Sequence, residues 1–257
     1  PLLTCDVDGL GTTRILEAIR ILNKNIKFYQ ASTSELFGNS VKGKKIINEQ
    51  TLMHPASPYA ASKLYSFHTI KIYREAYGIF ASNGILFNHE SPLRGLEFVT
   101  RKVTNMVAQI KLGLKKELLV GNIDSIRDWG YAEEYVEAMW RIMQLDNPDD
   151  FVVATGEAHS VKDLIQTAFS CADLDYKEYI KIDKNLIRPI DVNFLLGDIS
   201  KLNKHSSWEP KVKFNELVNL MVDSDLERWS KYLNGEIFPW DAPSYPSELR
   251  IKSRDKK

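Results

Sequence analysis

Apolar positions along the chain follow two rhythms. Short β-branched and aromatic runs alternate with longer stretches in which apolar residues return every three or four positions. That alternation predicts a parallel sheet covered by helices, an α/β fold. A helix over 13–22 is expected to follow a turn at Gly9 and Gly11, and Ile26-Lys27-Phe28-Tyr29-Gln30 reads as a strand feeding a polar loop. Ser57-Pro58 suits a helix start, so a helix is expected over 59–77 and a strand over 80–87, with a surface loop over 39–58. Further on, Val103, Met106, Val107 and Ile110 mark an amphipathic helix over 100–113. A short strand over 117–121, a polar turn over 124–130 and a helix over 132–145 follow. The rest predicts a strand at 151–156, a helix at 161–172 capped by Ser160, a strand at 179–182 and a helix at 214–233. The last helix carries Leu217, Leu220, Met221 and Leu226, and the polar 239–257 reads as a loosely held tail. Trp129, Trp140, Trp208 and Trp229 are expected in the core or at an interface.

Composition narrows the classes. The 257 residues suffice for one large domain or two small ones, and 34 basic against 34 acidic residues give no pull toward nucleic acid or anionic membrane. No apolar run reaches the ~20 residues of a membrane span. Two cysteines, Cys5 and Cys171, make no disulfide framework, so a reduced, cytoplasmic setting is the expectation. Gly9 and Gly11 lack the third glycine and the preceding strand of a dinucleotide loop. His89 has no ligand partner at useful spacing, and no metal is expected.

The chemistry concentrates in two places. Gln30-Ala31-Ser32-Thr33-Ser34-Glu35 ends the first strand, and Tyr59-Ala60-Ala61-Ser62-Lys63 heads the long helix. Four residues apart, Tyr59 and Lys63 share a helical face, where an ammonium stabilises a phenolate and makes the tyrosine a usable proton shuttle. Thr33 adds a hydroxyl and Glu35 a carboxylate, one acid/base group more than alcohol oxidation requires. Arg94, Arg127 and Arg188 stand in loops beside rigid neighbours, and guanidinium forks suit a pyrophosphate.

These residues resemble the extended, sugar-nucleotide-modifying branch of the short-chain dehydrogenase/reductase superfamily. Asn88-His89-Glu90-Ser91-Pro92, Phe98-Val99-Thr100-Arg101-Lys102, Arg127-Asp128-Trp129-Gly130 and Leu196-Gly197-Asp198 narrow the resemblance to the GDP-mannose 4,6-dehydratase family. It implies a partial Rossmann-type parallel sheet with helices on both faces plus a smaller mixed α/β substrate domain. The first is expected over 1–92, returning at about 129–156, and the second over 93–128 and 157–238. It also implies an NADP-dependent lyase that turns GDP-mannose into GDP-4-dehydro-6-deoxy-D-mannose and water, working as a homo-oligomer. Thr33, Glu35, Tyr59 and Lys63 match the family's catalytic positions; Lys63, His89 and Arg94 match cofactor contacts. Ser34, Asn88, Lys102, Arg127 and Arg188 match positions that hold GDP-mannose. An epimerase or reductase of the same branch would not need Glu35.

The chain also departs from the family pattern. Leu3 stands in place of a tyrosine, Leu93 in place of an arginine and Asp191 in place of a glutamate. The family's glycine-rich phosphate loop is expected before the first residue, which leaves the catalytic residues with little cofactor grip. The alternative to an active dehydratase is therefore a truncated relic that binds GDP-sugar or pairs with a full-length subunit. A sheet without those early strands is expected to leave apolar surface bare and the chain marginal or prone to aggregate.

Overall fold

The computed structural model describes residues 1–40, 46–186 and 192–236. They fall into two compact units: Pro1–His89, Ile123–Ser160 and Arg188–Phe214 form the first, and Glu90–Asn122, Val161–Ile187 and Asn215–Lys257 the second.

The first unit is built on a parallel sheet of Phe28–Thr33, Ala81–Leu86 and Asp150–Val153, in that order. Side chains alternate along each strand, so neighbours serve opposite faces. Ile85 and Val152 pack with Leu36, Phe37 and Phe67 on one side. Leu86 and Val153 meet Tyr135, Ala138, Ile142 and Trp208 on the other. Helix Pro58–Tyr77 supplies the first face and helix Ala132–Gln144 the second, as a sheet with helices on both faces requires. Ser57 Oγ accepts from the Ala60 amide, with Pro58 in the first turn, and Gly78 closes the helix at φ 66°. Among the described residues, Phe28–Thr33 is bonded to a neighbouring strand on one edge.

Several details differ from expectation. The helix begins at Leu2, and a π-helical stretch at Cys5–Leu10 joins Leu2–Thr4 to Gly11–Leu22. Gly9 and Gly11 therefore lie inside a helix; packing against helix Pro58–Tyr77 outweighs a glycine cost of about 1 kcal/mol each. The Ser66 hydroxyl donates to the Asp8 carbonyl at 2.5 Å, which ties the π-turn to helix Pro58–Tyr77. Of the loop over 39–58, residues 41–45 lie outside the described ones. The remainder is more than surface: Ile47 is buried and bridges to Gly197, and the Glu49 carboxylate accepts from the Val152 amide at 2.8 Å. Trp129 and Trp208 are core residues, whereas Trp140 is 63% exposed.

The expected turn over 124–130 is two short strands, Ile126–Arg127 and Trp129–Tyr131, with Asp128 fully buried between them. One Asp128 oxygen accepts from the Thr155 amide and hydroxyl at 2.8 and 2.7 Å. The other accepts from the amides of Gly156 and Gly197 at 3.0 and 3.3 Å. Burial pushes this carboxyl up to about 6 from the usual 3.8, although the four donors pull it down.

In the second unit, helix Val99–Lys111 packs with helices Val161–Cys171 and Phe214–Leu233, and Leu118–Val120 pairs in parallel with Ile180–Ile182. The stripe of the last helix runs through Leu217, Val218, Met221, Val222 and Asp225, with Leu220 and Leu226 half-buried. Asp225 belongs there because it meets the buried Arg101 at 2.7 Å and accepts from the Thr104 hydroxyl at 2.7 Å. Arg101 Nη1 in turn donates to the carbonyls of Pro92 and Arg94 at 2.6 and 3.1 Å, fixing the loop that carries Arg94.

Two stability predictions follow from buried polar groups in the first unit. The Tyr29 hydroxyl is buried with no hydrogen-bond partner among the described residues and lies where a Cβ on Gly84 would sit, 1.8 Å away. Tyr29→Phe should raise the unfolding free energy by about 1 kcal/mol, whereas Gly84→Ala should lower it; urea unfolding of both variants checks this. An acid whose folded pKa is raised destabilises as it ionises, so Asp128 should cost up to ~3 kcal/mol as pH climbs from about 4 to about 6. Asp128→Asn should lose that slope in unfolding curves taken across the range. An unchanged slope would rule out Asp128 as its source.

Candidate active site

The catalytic candidates of the first unit gather at the carboxyl ends of the parallel strands, the usual ligand crevice of open α/β sheets. Thr33 is in register with Leu86, so Ser34-Glu35 and Phe87-Asn88-His89 leave adjacent strands at one level. The 3₁₀ turn Ser34–Phe37 follows, and the Thr33 hydroxyl caps it by accepting from the Glu35 amide at 3.2 Å. Gly38 ends the turn at φ 50°, where a Cβ would stand 2.1 Å from the His54 carbonyl, so only glycine fits. Thr33 and Ser34 are buried, and Glu35 is half-buried.

Tyr59 and Lys63 lie one turn apart on helix Pro58–Tyr77. Tyr59 is 40% exposed, with the Lys63 Nζ 5.8 Å from the centroid of its ring. The ammonium is held on two further sides: it donates to the Ala31 carbonyl at 3.2 Å and pairs with the Asp8 carboxylate at 3.3 Å. Asp8 is the residue that sequence reasoning missed. It reaches Lys63 from the π-turn, and that local change of pitch leaves no trace in the apolar periodicity.

The other candidates are divided between the two units. His89 Nδ1 lies 2.9 Å from the Phe87 carbonyl; a carbonyl only accepts, so Nδ1 carries the proton. The His89 ring stacks on Tyr135 at 5.3 Å, and Asn88 beside it is half-buried. Arg127 lies on the strand that Asp128 anchors to Thr155 and Gly156, and its Nη1 donates to the Ile126 carbonyl at 2.9 Å. Arg94 and Lys102 belong to the second unit. There Arg94 stacks on Phe98 at 3.6 Å, with its Nε 3.3 Å from the buried Glu90. Burial pushes Glu90 up to about 7, while Arg94 and a hydrogen bond from Thr100 at 2.5 Å pull it down. Lys102 is half-buried on helix Val99–Lys111. Arg188 lies outside the described residues.

A groove of about 500 Å³ runs beside Lys63, between Phe28, Gln30 and Ala31 of the first strand and Asp6, Val7, Gly11 and Ile15 of the first helix. Its ammonium, carboxylates and apolar wall suit the ribose and ring of a nicotinamide nucleotide. The phosphates find no glycine cradle here. Gly11 has helical dihedrals, and a Cβ on Gly9 or Gly11 would meet only ordinary contacts. No helix among the described residues is long and apolar enough to cross a membrane.

Comparison with known proteins agrees with this architecture. The family model for GDP-mannose 4,6 dehydratase matches residues 1–221. GDP-mannose 4,6 dehydratase 1 of Arabidopsis thaliana is 49% identical over 231 residues, which cover 88% of this chain and 63% of the relative. The human GDP-mannose 4,6 dehydratase is 45% identical over 245 residues, covering 87% and 65%. The chain thus spans just under two thirds of the length of these relatives. Among solved structures, RMD from Pseudomonas aeruginosa complexed with NADPH superposes with a TM-score of 0.80 at 22% identity, covering 87% of this chain and 74% of that one. The dTDP-glucose 4,6-dehydratase of Bacillus anthracis in complex with NAD gives 0.78 at 21%, covering 89% and 71%. At such identities the likeness establishes a Rossmann-type fold. With the family's sequence pattern running through both units, the chain belongs to the GDP-mannose 4,6-dehydratase family.

Proposed function

We propose that this chain carries the acid/base machinery of an NADP-dependent GDP-mannose 4,6-dehydratase, which forms GDP-4-dehydro-6-deoxy-D-mannose and water. The observation that supports the reading most is the Lys63 ammonium, fixed between Asp8 and Ala31 next to Tyr59, with Glu35 leaving the end of the same strand. In this reading the Tyr59 phenolate, stabilised by the Lys63 ammonium, takes the proton from the sugar O4 and becomes the neutral phenol. A nicotinamide nucleotide bound beside them would supply a reversible hydride acceptor. Lys63, His89 and Arg94 would hold that nucleotide.

Glu35 removes the C5 proton, which a C4 ketone has made acidic, and assists departure of water from C6. The Thr33 hydroxyl, oriented by its contact to the Glu35 amide, can hydrogen-bond the sugar O4. Ser34, Asn88, Lys102, Arg127 and Arg188 take the nucleotide and hexose oxygens. The exposed Tyr65 and Ile72 support assembly as a homo-oligomer.

Incubation with GDP-mannose and NADP tests the proposal. The 4-keto, 6-deoxy product should form, and Tyr59→Phe or Glu35→Gln should slow it by about 10²- to 10⁴-fold. A Glu35→Gln variant that still turns over normally would point to an epimerase-like reaction. GDP-mannose binding without turnover, together with capture of a full-length family member, would favour the non-catalytic reading.

A further inference from the structure

Next to Arg127 the structure carries an aromatic stack that the proposed mechanism leaves unused. Arg127 and His159 are directly opposed in the antiparallel pair formed by Ile126–Arg127 and His159–Ser160. Opposed residues of an antiparallel pair project from the same face, with Cβ atoms about 5 Å apart. The His159 ring lies flat on Phe214, with centroids 3.8 Å apart and planes 8° apart. Phe214 in turn stacks on Trp129 at 6.0 Å and 24°.

Exposure rises along the series, from 2% at Trp129 and 6% at Phe214 to 27% for the His159 side chain. The stack therefore runs from the core outward and ends at the imidazole. Its plane is set by packing, so little rotamer freedom remains to be lost on binding. Arg127 is fixed as well, because the adjoining Asp128 is tied to four donors. Glu157 lies 3.9 Å from His159 Nε2, and Lys213 balances the Glu157 charge from 2.5 Å.

We infer that His159 is a second donor to the nucleotide diphosphate, paired with Arg127 as a preformed two-point grip. The inference rests on the GDP-sugar reading of the site and adds a residue to it. One fork and one ring nitrogen, opposed on a rigid ribbon, suit two neighbouring phosphoryl groups.

Calorimetric titration with GDP and with inorganic pyrophosphate tests it on wild type, Arg127→Met, His159→Phe and His159→Asn. His159→Phe keeps a flat ring on Phe214 but removes both nitrogens, and its thermal transition reports whether the stack survives. It should weaken both ligands about tenfold or more, as loss of a charge-assisted hydrogen bond does. His159→Asn, which restores an N–H donor, should recover part of the loss. Undiminished affinity in a folded His159→Phe would overturn the inference while leaving the GDP-sugar reading intact, provided Arg127→Met still weakens binding. Loss for GDP alone, with pyrophosphate unchanged, would also overturn it, since the ring would then be meeting the base. A wild-type protein that binds neither ligand would remove both readings.

Discussion

One ammonium group ties together the three elements that matter most. Lys63 belongs to helix Pro58–Tyr77, bonds the Ala31 carbonyl of the first strand and pairs with Asp8 of the π-turn. A half-buried cation needs such partners, because desolvation without them costs several kcal/mol. The same contacts limit where the ammonium can go, which keeps it beside Tyr59. Asp8 thus does two things at once: it stabilises the charge on Lys63 and competes with any phenolate for it. The Ser66 hydroxyl, donating to the Asp8 carbonyl, ties the π-turn that carries Asp8 to the helix that carries Lys63.

The same economy recurs at the ends of the strands. A parallel sheet delivers successive chain segments to one edge, and polar side chains must fix what the strands cannot. Thr33 does this for the turn bearing Glu35, and Asp128 for the strand bearing Arg127. In the second unit Arg101, paired with Asp225, does it for the loop bearing Arg94. Each anchor is buried, and each holds a neighbour to which the proposed reaction gives a role. Rigid support under a reactive group is what a catalyst needs if binding energy is to go into the transition state.

Much of this was legible in the sequence, for definable reasons. Strand 28–33, helix 58–77 and the Tyr59–Lys63 spacing are local patterns, and local patterns survive in a one-dimensional record. Asp128 is different: its donors Thr155, Gly156 and Gly197 lie far along the chain, so its hydrogen bonds could not be read from its neighbours. Asp225 was overlooked because a charged residue in an apolar stripe reads as solvent-facing until Arg101 is seen opposite it. Glycine misled at 9 and 11, where a turn was expected and interhelical packing keeps the helix intact. Ile47 was hidden in a largely polar stretch, and it reaches the core beside a backbone bridge to Gly197.

The account rests on Tyr59, with Lys63, and Glu35 handling two different protons of one hexose, so that oxidation at C4 is joined to elimination across C5 and C6. Turnover of GDP-mannose in deuterium oxide, followed by mass spectrometry and proton NMR of the product, separates these events directly. A carboxylate that exchanges with solvent should leave one deuterium at C5 of a 6-deoxy-4-keto sugar. A product with undeuterated C5, or a 4-keto sugar that retains its C6 oxygen, would contradict the coupling.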